Sequence, residues 1–199
     1  MTNLIKNKKL TRITALLLAV AVIFGTMFSL PVSAASGDKV TITFDYCYDS
    51  TGNTIKFQQT TVSDGYTVGT VGEELCKIFA DGKEAYCIEP GHTLYSGNTL
   101  TESASTVWKN LGSAKQKAIN IALLYGKPGS EKSLSGTEDQ KWVATQLIVW
   151  EFVSGCRSTA DGYKCTNTKF IDGICAGGAN PGVKSVYNAI SKSLANYSI

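Results

Sequence analysis

The 199-residue chain is 43% hydrophobic and 18% charged, a composition that excludes a disordered protein and suits one globular domain. Its formal net charge of +3 depends on the first fourteen residues, which hold four basic side chains and no acid. Without them, 15 of the 19 Lys and Arg face 16 Asp and Glu. The rest of the chain is nearly neutral, which argues against nucleic acid or an anionic membrane as its partner.

The basic N-terminus leads into an apolar run over residues 13–30 and then into Pro31-Val32-Ser33-Ala34-Ala35. This order is typical of a secretory signal peptide that is cleaved after Ala34 or Ala35. An uncleaved membrane anchor is the alternative, because the run is nearly long enough to span a bilayer. The small residues favour cleavage, so we expect residues 1–34 to be a signal peptide and residues 35–199 to be one secreted domain.

All six cysteines follow the predicted signal peptide, where disulfides form and persist. Cys47 with Cys76 is one candidate pair, and a second lies among Cys156, Cys165 and Cys175, although spacing alone does not fix the connectivity. The chain has one histidine, and the last three cysteines lack the close pairs of a zinc ribbon. We therefore expect disulfides and neither a metal nor another cofactor.

The first half of the chain has strand patterns. They predict two hairpins, formed by segments 40–46 with 54–62 and 75–79 with 85–88. The pair Asp81-Gly82 suits the turn of the second hairpin. Cys87 then lies near the end of a strand, and Pro90-Gly91 stops that strand.

Helical signals dominate after about residue 100. Ser113 with Gln116 and Thr137 with Gln140 have the spacing of capping boxes, which predicts helices up to Tyr125 and over 138–153. Another helix, with one apolar stripe, begins at Asn180-Pro181, and the glycine-rich segment before it reads as a long loop that disulfides would hold. The order predicts an α+β fold, with an antiparallel sheet (sandwich or barrel-like) packed against a helical C-terminal half.

Gln146 lies in the predicted helix 138–153 on the same face as Trp142 and Trp150. That face must be buried, and a buried amide without partners costs about 1–3 kcal/mol. The glutamine therefore needs hydrogen bonds or a covalent use.

Three motifs together resemble the internal thioester domains of Gram-positive surface adhesins. They are an aromatic-Cys-aliphatic triplet (Tyr86-Cys87-Ile88), a helical Thr-Gln-x-x-x-Trp motif (residues 145–150) and an intervening Tyr-Gly-x-Pro turn (residues 125–128). The paired motifs are specific, although each alone is weak.

The resemblance implies an intramolecular thioester that joins Cys87 to Gln146 with loss of ammonia. The incoming nucleophile would be a lysine amine of a host surface or matrix protein, and the product an isopeptide bond. The protein would then be a single-turnover adhesin rather than an enzyme, a monomer at the cell-wall surface of a Gram-positive bacterium. The residues expected to shield or assist the bond are Tyr86, Glu89, His92, Trp142, Thr145 and Trp150, with His92 or Glu89 as a proton acceptor.

Two features depart from the family pattern. Use of Cys87 in a thioester leaves an odd number of cysteines, so one of them must be free or pair outside the chain. The family's stalk and sorting signal do not follow Ile199, so we expect the chain to be a fragment.

Two other functions compete with the thioester. One is a cysteine hydrolase or transglutaminase-like enzyme that uses Cys87 with His92, which requires the base within reach of the thiol. The other is a disulfide-stabilised binding module that does not react covalently, in which Gln146 belongs to a buried polar network.

Overall fold

The computed structural model describes residues 39–92, 95–101, 106–160 and 162–197. The predicted signal peptide, residues 1–34, lies outside the described residues. Strands occupy the first part of the domain and helices the second, which confirms the α+β prediction. The sheets are open, and the described residues form no closed barrel.

The described residues contain six strands, which form two antiparallel sheets. The larger sheet has the strand order β5-β4-β1-β6, and β2 pairs only with β3. Their bounds are β1 (Lys39–Tyr46), β2 (Thr61–Ser63), β3 (Tyr66–Gly69), β4 (Cys76–Ala80), β5 (Lys83–Ala85) and β6 (Thr99–Thr101).

The helices follow the strands. They are α1 (Thr106–Asn110), α2 (Gly112–Tyr125), α3 (Lys127–Ser130), α4 (Glu138–Val153), α5 (Lys169–Cys175) and α6 (Pro181–Ala195), with single 3-10 turns at Glu131–Ser133 and Ala176–Gly178. Among the described residues, none of these helices has both the length and the apolar character to span a membrane.

The second predicted hairpin is confirmed and the first is wrong. Strands β4 and β5 are joined by Asp81 and Gly82, both with positive φ, as the sequence predicted. Strand β1 instead pairs with β4 and β6, both distant in sequence. The segment 54–62 makes only isolated bridges before it enters β2, so the nearest strand pattern was not the partner of β1.

One of the two predicted capping boxes forms. The Thr137 hydroxyl accepts from the backbone N–H of Gln140, whose side chain accepts in return from the Thr137 N–H. The other prediction is wrong: Leu111 is the N-cap of α2, and the Gln116 amide donates to the backbone oxygen of Trp108. The apolar stripe of α6 is buried as predicted.

Helix α4 is the centre of the core. Every residue from Gln140 to Val149 is buried, because the helix packs against α2, α3, α5, α6 and β4. The sequence predicted one buried face, but the structure buries nearly the whole circumference. A polar side chain in the buried stretch from Gln140 to Val149 therefore has no route to water and must find its partners inside the protein.

The structure does not contain the predicted disulfides, and all six cysteines are free thiols. Cys76 lies opposite Tyr46 in the β1–β4 ladder, whereas the backbone N–H of Cys47 continues that ladder to Leu75. Successive strand residues point to opposite faces, so the side chains of Cys47 and Cys76 point away from each other. In the segment after α4, the thiols of Cys165 and Cys175 donate to backbone oxygens.

A buried ion pair holds the segment between α4 and α6, the role that the sequence assigned to disulfides. This segment also contains α5, which the sequence did not predict. The Arg157 Nε donates to Glu151 at 2.7 Å, and its other nitrogens reach the oxygen of Tyr163, the hydroxyl of Tyr187 and Ser191. Glu151 and Arg157 are 0% and 3% exposed. One side chain thus joins the segment to both α4 and α6.

We expect Glu151→Gln to lower the free energy of unfolding by about 3–5 kcal/mol, because it leaves the Arg157 guanidinium buried without a counter-charge. Urea unfolding followed by circular dichroism measures the change. The matched control is Glu74→Gln, which breaks a solvent-exposed pair with Lys56 and should change stability little. Equal effects of the two substitutions would contradict the role given to Arg157.

Candidate functional site

The side chain of Gln146 is fully buried and meets the backbone of Cys87. Its Oε1 accepts from the Cys87 N–H at 2.8 Å, and its Nε2 donates to the Cys87 carbonyl oxygen, also at 2.8 Å. Both ends of the amide are therefore satisfied by one residue that is 59 positions away. This pairing holds the Gln146 carboxamide directly against Cys87.

Cys87 lies two residues beyond β5, in a turn that surrounds its sulfur. The backbone N–H of Glu89 donates to Sγ at 3.3 Å, and the thiol faces the Glu89 carbonyl oxygen at 3.4 Å. The turn continues through Gly91, whose φ is +87° and whose added Cβ would lie 2.6 Å from the Cβ of Tyr66. Only glycine fits there, so the cysteine turn is seated on β3.

The environment of the thiol changes its pKa in both directions. Burial raises the pKa of Cys87, because the thiolate loses hydration. The Glu89 backbone N–H and the Trp150 indole N–H lower this pKa, and the Glu89 carboxylate raises it further. The result is a pKa above the ordinary thiol value, so the sulfur is held mainly as a thiol at neutral pH.

A chain of contacts ties the helix that carries Gln146 to the strand before Cys87. The Thr145 hydroxyl accepts from the backbone N–H of Lys127 at 2.9 Å and donates to Lys141 O at 2.8 Å. The Lys127 ammonium binds the Glu84 carboxylate on β5 at 2.6 Å. Gly126 allows this approach, because a Cβ there would lie 2.6 Å from the Thr145 side chain.

Two tryptophans flank Gln146 on α4, four residues before and four residues after it. Trp142 is 2% exposed and stacks on Tyr86 with ring centroids 5.5 Å apart. Trp150 is half-buried and contacts Phe170 at 5.9 Å. The aromatic rings that the sequence assigned to this site therefore lie beside Cys87 and Gln146.

Cys87 opens onto a pocket of about 310 Å³ with an apolar wall and acidic groups. The wall includes Trp142 and Trp150, and the carboxylates are those of Glu73, Glu74 and Glu89. A second pocket of about 260 Å³ also borders Cys87. The thiol side of the site is thus accessible to a small group, while Gln146 remains buried.

His92 and Glu89 border this pocket without binding the sulfur through their side chains. The exposed imidazole contacts the Tyr66 ring at a tilt of 40° with centroids 4.5 Å apart, and the described residues show no hydrogen bond from it to Cys87. The carboxylate of Glu89 is also exposed, and the contacts of this residue with Sγ come from its backbone. The Cys-His pair that a hydrolase requires is not formed in this geometry.

Sequence reasoning missed the structural roles of Lys127 and Glu84. Lys127 stands in the quoted Tyr-Gly-x-Pro turn, but nothing in the spacing indicated its ion pair with Glu84 on β5. The described residues contain no cluster of three or more His, Cys, Asp or Glu that could hold a metal ion.

The comparison with known families identifies the class of this site. The family model described as thioester domain matches residues 84–196, more than half of the chain. The chain belongs to the thioester domain family, which confirms the resemblance drawn from the motifs. It is a thioester-bearing module of the adhesin type, with a chemistry of covalent bonding to a nucleophile on a target. Comparisons with curated proteins and with solved structures return no match.

We expect Thr145→Val to lower the free energy of unfolding by about 1–3 kcal/mol, because the substitution leaves the buried Lys127 N–H without an acceptor. Thr145→Ser is the matched control, since it keeps the hydroxyl and removes only a methyl group. Urea unfolding of the two variants measures the difference. If serine were as destabilising as valine, packing rather than the hydrogen bond would hold the Lys127 turn against α4.

Proposed function

We propose that Cys87 and Gln146 form an intramolecular thioester that acylates a nucleophile on a target, most simply the ε-amine of a lysine. The observation that carries this proposal is the pair of hydrogen bonds, 2.8 Å each, between the Gln146 amide and the Cys87 backbone. The family match supports it independently, since the matched segment includes both residues.

In the forming step, the Cys87 sulfur attacks Cδ of Gln146. The Cδ–Nε2 bond breaks, and the nitrogen leaves as ammonia with the thiol proton. In solution a thiol and an amide react poorly, but groups held in reacting geometry gain effective molarities of about 10⁵–10⁸ M. The fold supplies this advantage by fixing both residues through buried contacts.

The Cys87 backbone N–H is also placed to stabilise the negative charge that develops when the thioester forms and again when it opens. Tetrahedral attack at Cδ places negative charge on Oε1, which accepts from this N–H at 2.8 Å. A fixed donor at that distance is the arrangement that stabilises an oxyanion. The same contact therefore positions the amide and lowers the barrier for making and opening the thioester.

The pocket beside Cys87 suits an amine. Its apolar wall limits the access of water, which protects an acyl group from hydrolysis. The carboxylates of Glu73, Glu74 and Glu89 attract a cationic side chain toward the same opening. Glu89 and His92 are the groups on this rim that can accept a proton from the arriving ammonium.

In the opening step, the amine attacks Cδ of Gln146 and the Cδ–Sγ bond breaks. The amine proton ends on the sulfur, so the products are an amide at Gln146 and a free Cys87 thiol. Each thioester is consumed in one reaction, because its acyl group ends in the amide to the target. A covalent amide to a host surface or matrix protein resists mechanical force, which suits an adhesin and virulence factor secreted to the cell-wall surface of a Gram-positive bacterium.

We expect the intact mass of the purified domain to be lower than the sequence mass by one ammonia. After methylamine treatment the mass should rise by one methylamine, and peptide mapping should place the new amide at Gln146. A native protein with no ammonia deficit and no adduct would contradict the proposal.

Cys87→Ala and Gln146→Ala are the paired controls, since each removes one half of the bond. Both should show the full sequence mass and no reaction with methylamine. Gln146→Ala should also expose one more alkylatable thiol than the wild type under denaturing conditions.

A further inference from the structure

Three buried hydrogen-bond donors around the site have no partner among the described residues. They are the Tyr86 hydroxyl and the indole nitrogens of Trp142 and Trp150. An unpaired buried donor costs about 1–3 kcal/mol, and such groups are uncommon in folded proteins. Two of them, those of Trp142 and Trp150, belong to side chains that line the pocket onto which Cys87 opens, which indicates a site that keeps donors available for a group that is not yet charged.

Trp150 is the donor best placed for the sulfur. It lies one helical turn after Gln146 on α4, so both project from the same face. It lines the 310 Å³ pocket together with Cys87. Its indole N–H also lowers the pKa of the Cys87 thiol, as a donor that faces this sulfur would. No such effect on this thiol comes from Trp142 or Tyr86.

Sulfur is a weak acceptor as a thiol or thioester and a stronger one as a thiolate. An unpaired N–H beside the sulfur therefore binds the departing thiolate more tightly than it binds the sulfur of the intact thioester. Stronger binding in the transition state than in the ground state is the condition for accelerating a reaction. The carboxylates that line the pocket cannot stabilise the thiolate, because their negative charge opposes negative charge on the sulfur.

We propose that the Trp150 indole N–H is a catalytic donor that stabilises the Cys87 thiolate as the Cδ–Sγ bond breaks. The inference rests on the proposed thioester. The sulfur leaves with the bonding electron pair, the indole proton stays on nitrogen, and the proton of the attacking amine then neutralises the sulfur. The same contact acts in reverse during formation, when the thiol must ionise to attack Gln146.

The test is Trp150→Phe, which keeps an aromatic ring and removes the N–H. The substitution should retain the ammonia deficit and slow reaction with methylamine about 10- to 100-fold, as for loss of one hydrogen bond to a charged group. Trp108→Phe is the matched control, because Trp108 lies on α1 and lines neither pocket that borders Cys87. Its methylamine rate should equal that of the wild type.

Two further measurements separate hydrogen bonding from packing. Loss of the N–H should slow spontaneous hydrolysis of the thioester as well as aminolysis, whereas a loosened wall that admits water would accelerate hydrolysis. After methylamine opening, the freed Cys87 should be alkylated with a midpoint pH higher in Trp150→Phe than in the wild type, because a donor that lowers its pKa is gone.

If Trp150→Phe folds poorly, benzothienylalanine at position 150 keeps the shape of the indole and replaces N–H by sulfur. This variant should show the same slow aminolysis. Wild-type rates in a folded variant that lacks the N–H, or faster hydrolysis, would overturn the inference and leave the thioester intact. A wild-type protein without the ammonia deficit would instead overturn the proposed function.

Discussion

The pairing of the Gln146 amide with the backbone of Cys87 is the constraint on which the site depends. Helix α4 is buried on nearly every side, so a glutamine at its centre must satisfy its amide within the protein. The backbone N–H and carbonyl oxygen of Cys87, in the turn after β5, bind both ends of this amide. In this fold the contacts that satisfy the buried glutamine also bring the Cys87 residue against the carboxamide.

Other contacts keep this pairing fixed. Lys127 joins the α3 turn to Glu84 on β5, and Thr145 joins the same turn to α4. On the far side of the cysteine, Gly91 lets the chain pack directly on β3. These ties hold Cys87 and Gln146 from both directions, which is what the proposed thioester would require of a fold made of weak contacts.

The site combines protection with retained reactivity. Burial raises the pKa of the Cys87 thiol and the aromatic rings exclude water, and both effects protect an acyl group. The unpaired Trp150 donor has the opposite effect in the proposed reaction, since it favours the thiolate that would appear only when the thioester is made or broken. Unpaired buried donors destabilise the folded protein, and two of them on side chains that line one pocket are typical of a functional site.

The sequence by itself determined the local elements and the family, and it singled out Cys87 and Gln146 as the pair that the proposed thioester joins. Alternation predicted β1, the Asp81-Gly82 turn predicted the β4–β5 hairpin, and the Thr137-Gln140 box predicted the start of α4, because each signal acts over a few residues. The motifs around Cys87 and Gln146 were sufficient to indicate the family, and the buried amide explained why they belong together.

Only the tertiary structure decided what depends on distant contacts. It paired β1 with β4 and β6 instead of with its sequence neighbour, and it directed Cys47 and Cys76 to opposite faces. It held the segment after α4 with Arg157 rather than with disulfides. It also placed the His92 ring against Tyr66 and the Trp150 indole in the wall of the pocket beside Cys87, because the approach of a side chain to the sulfur depends on packing between elements and not on spacing along the chain.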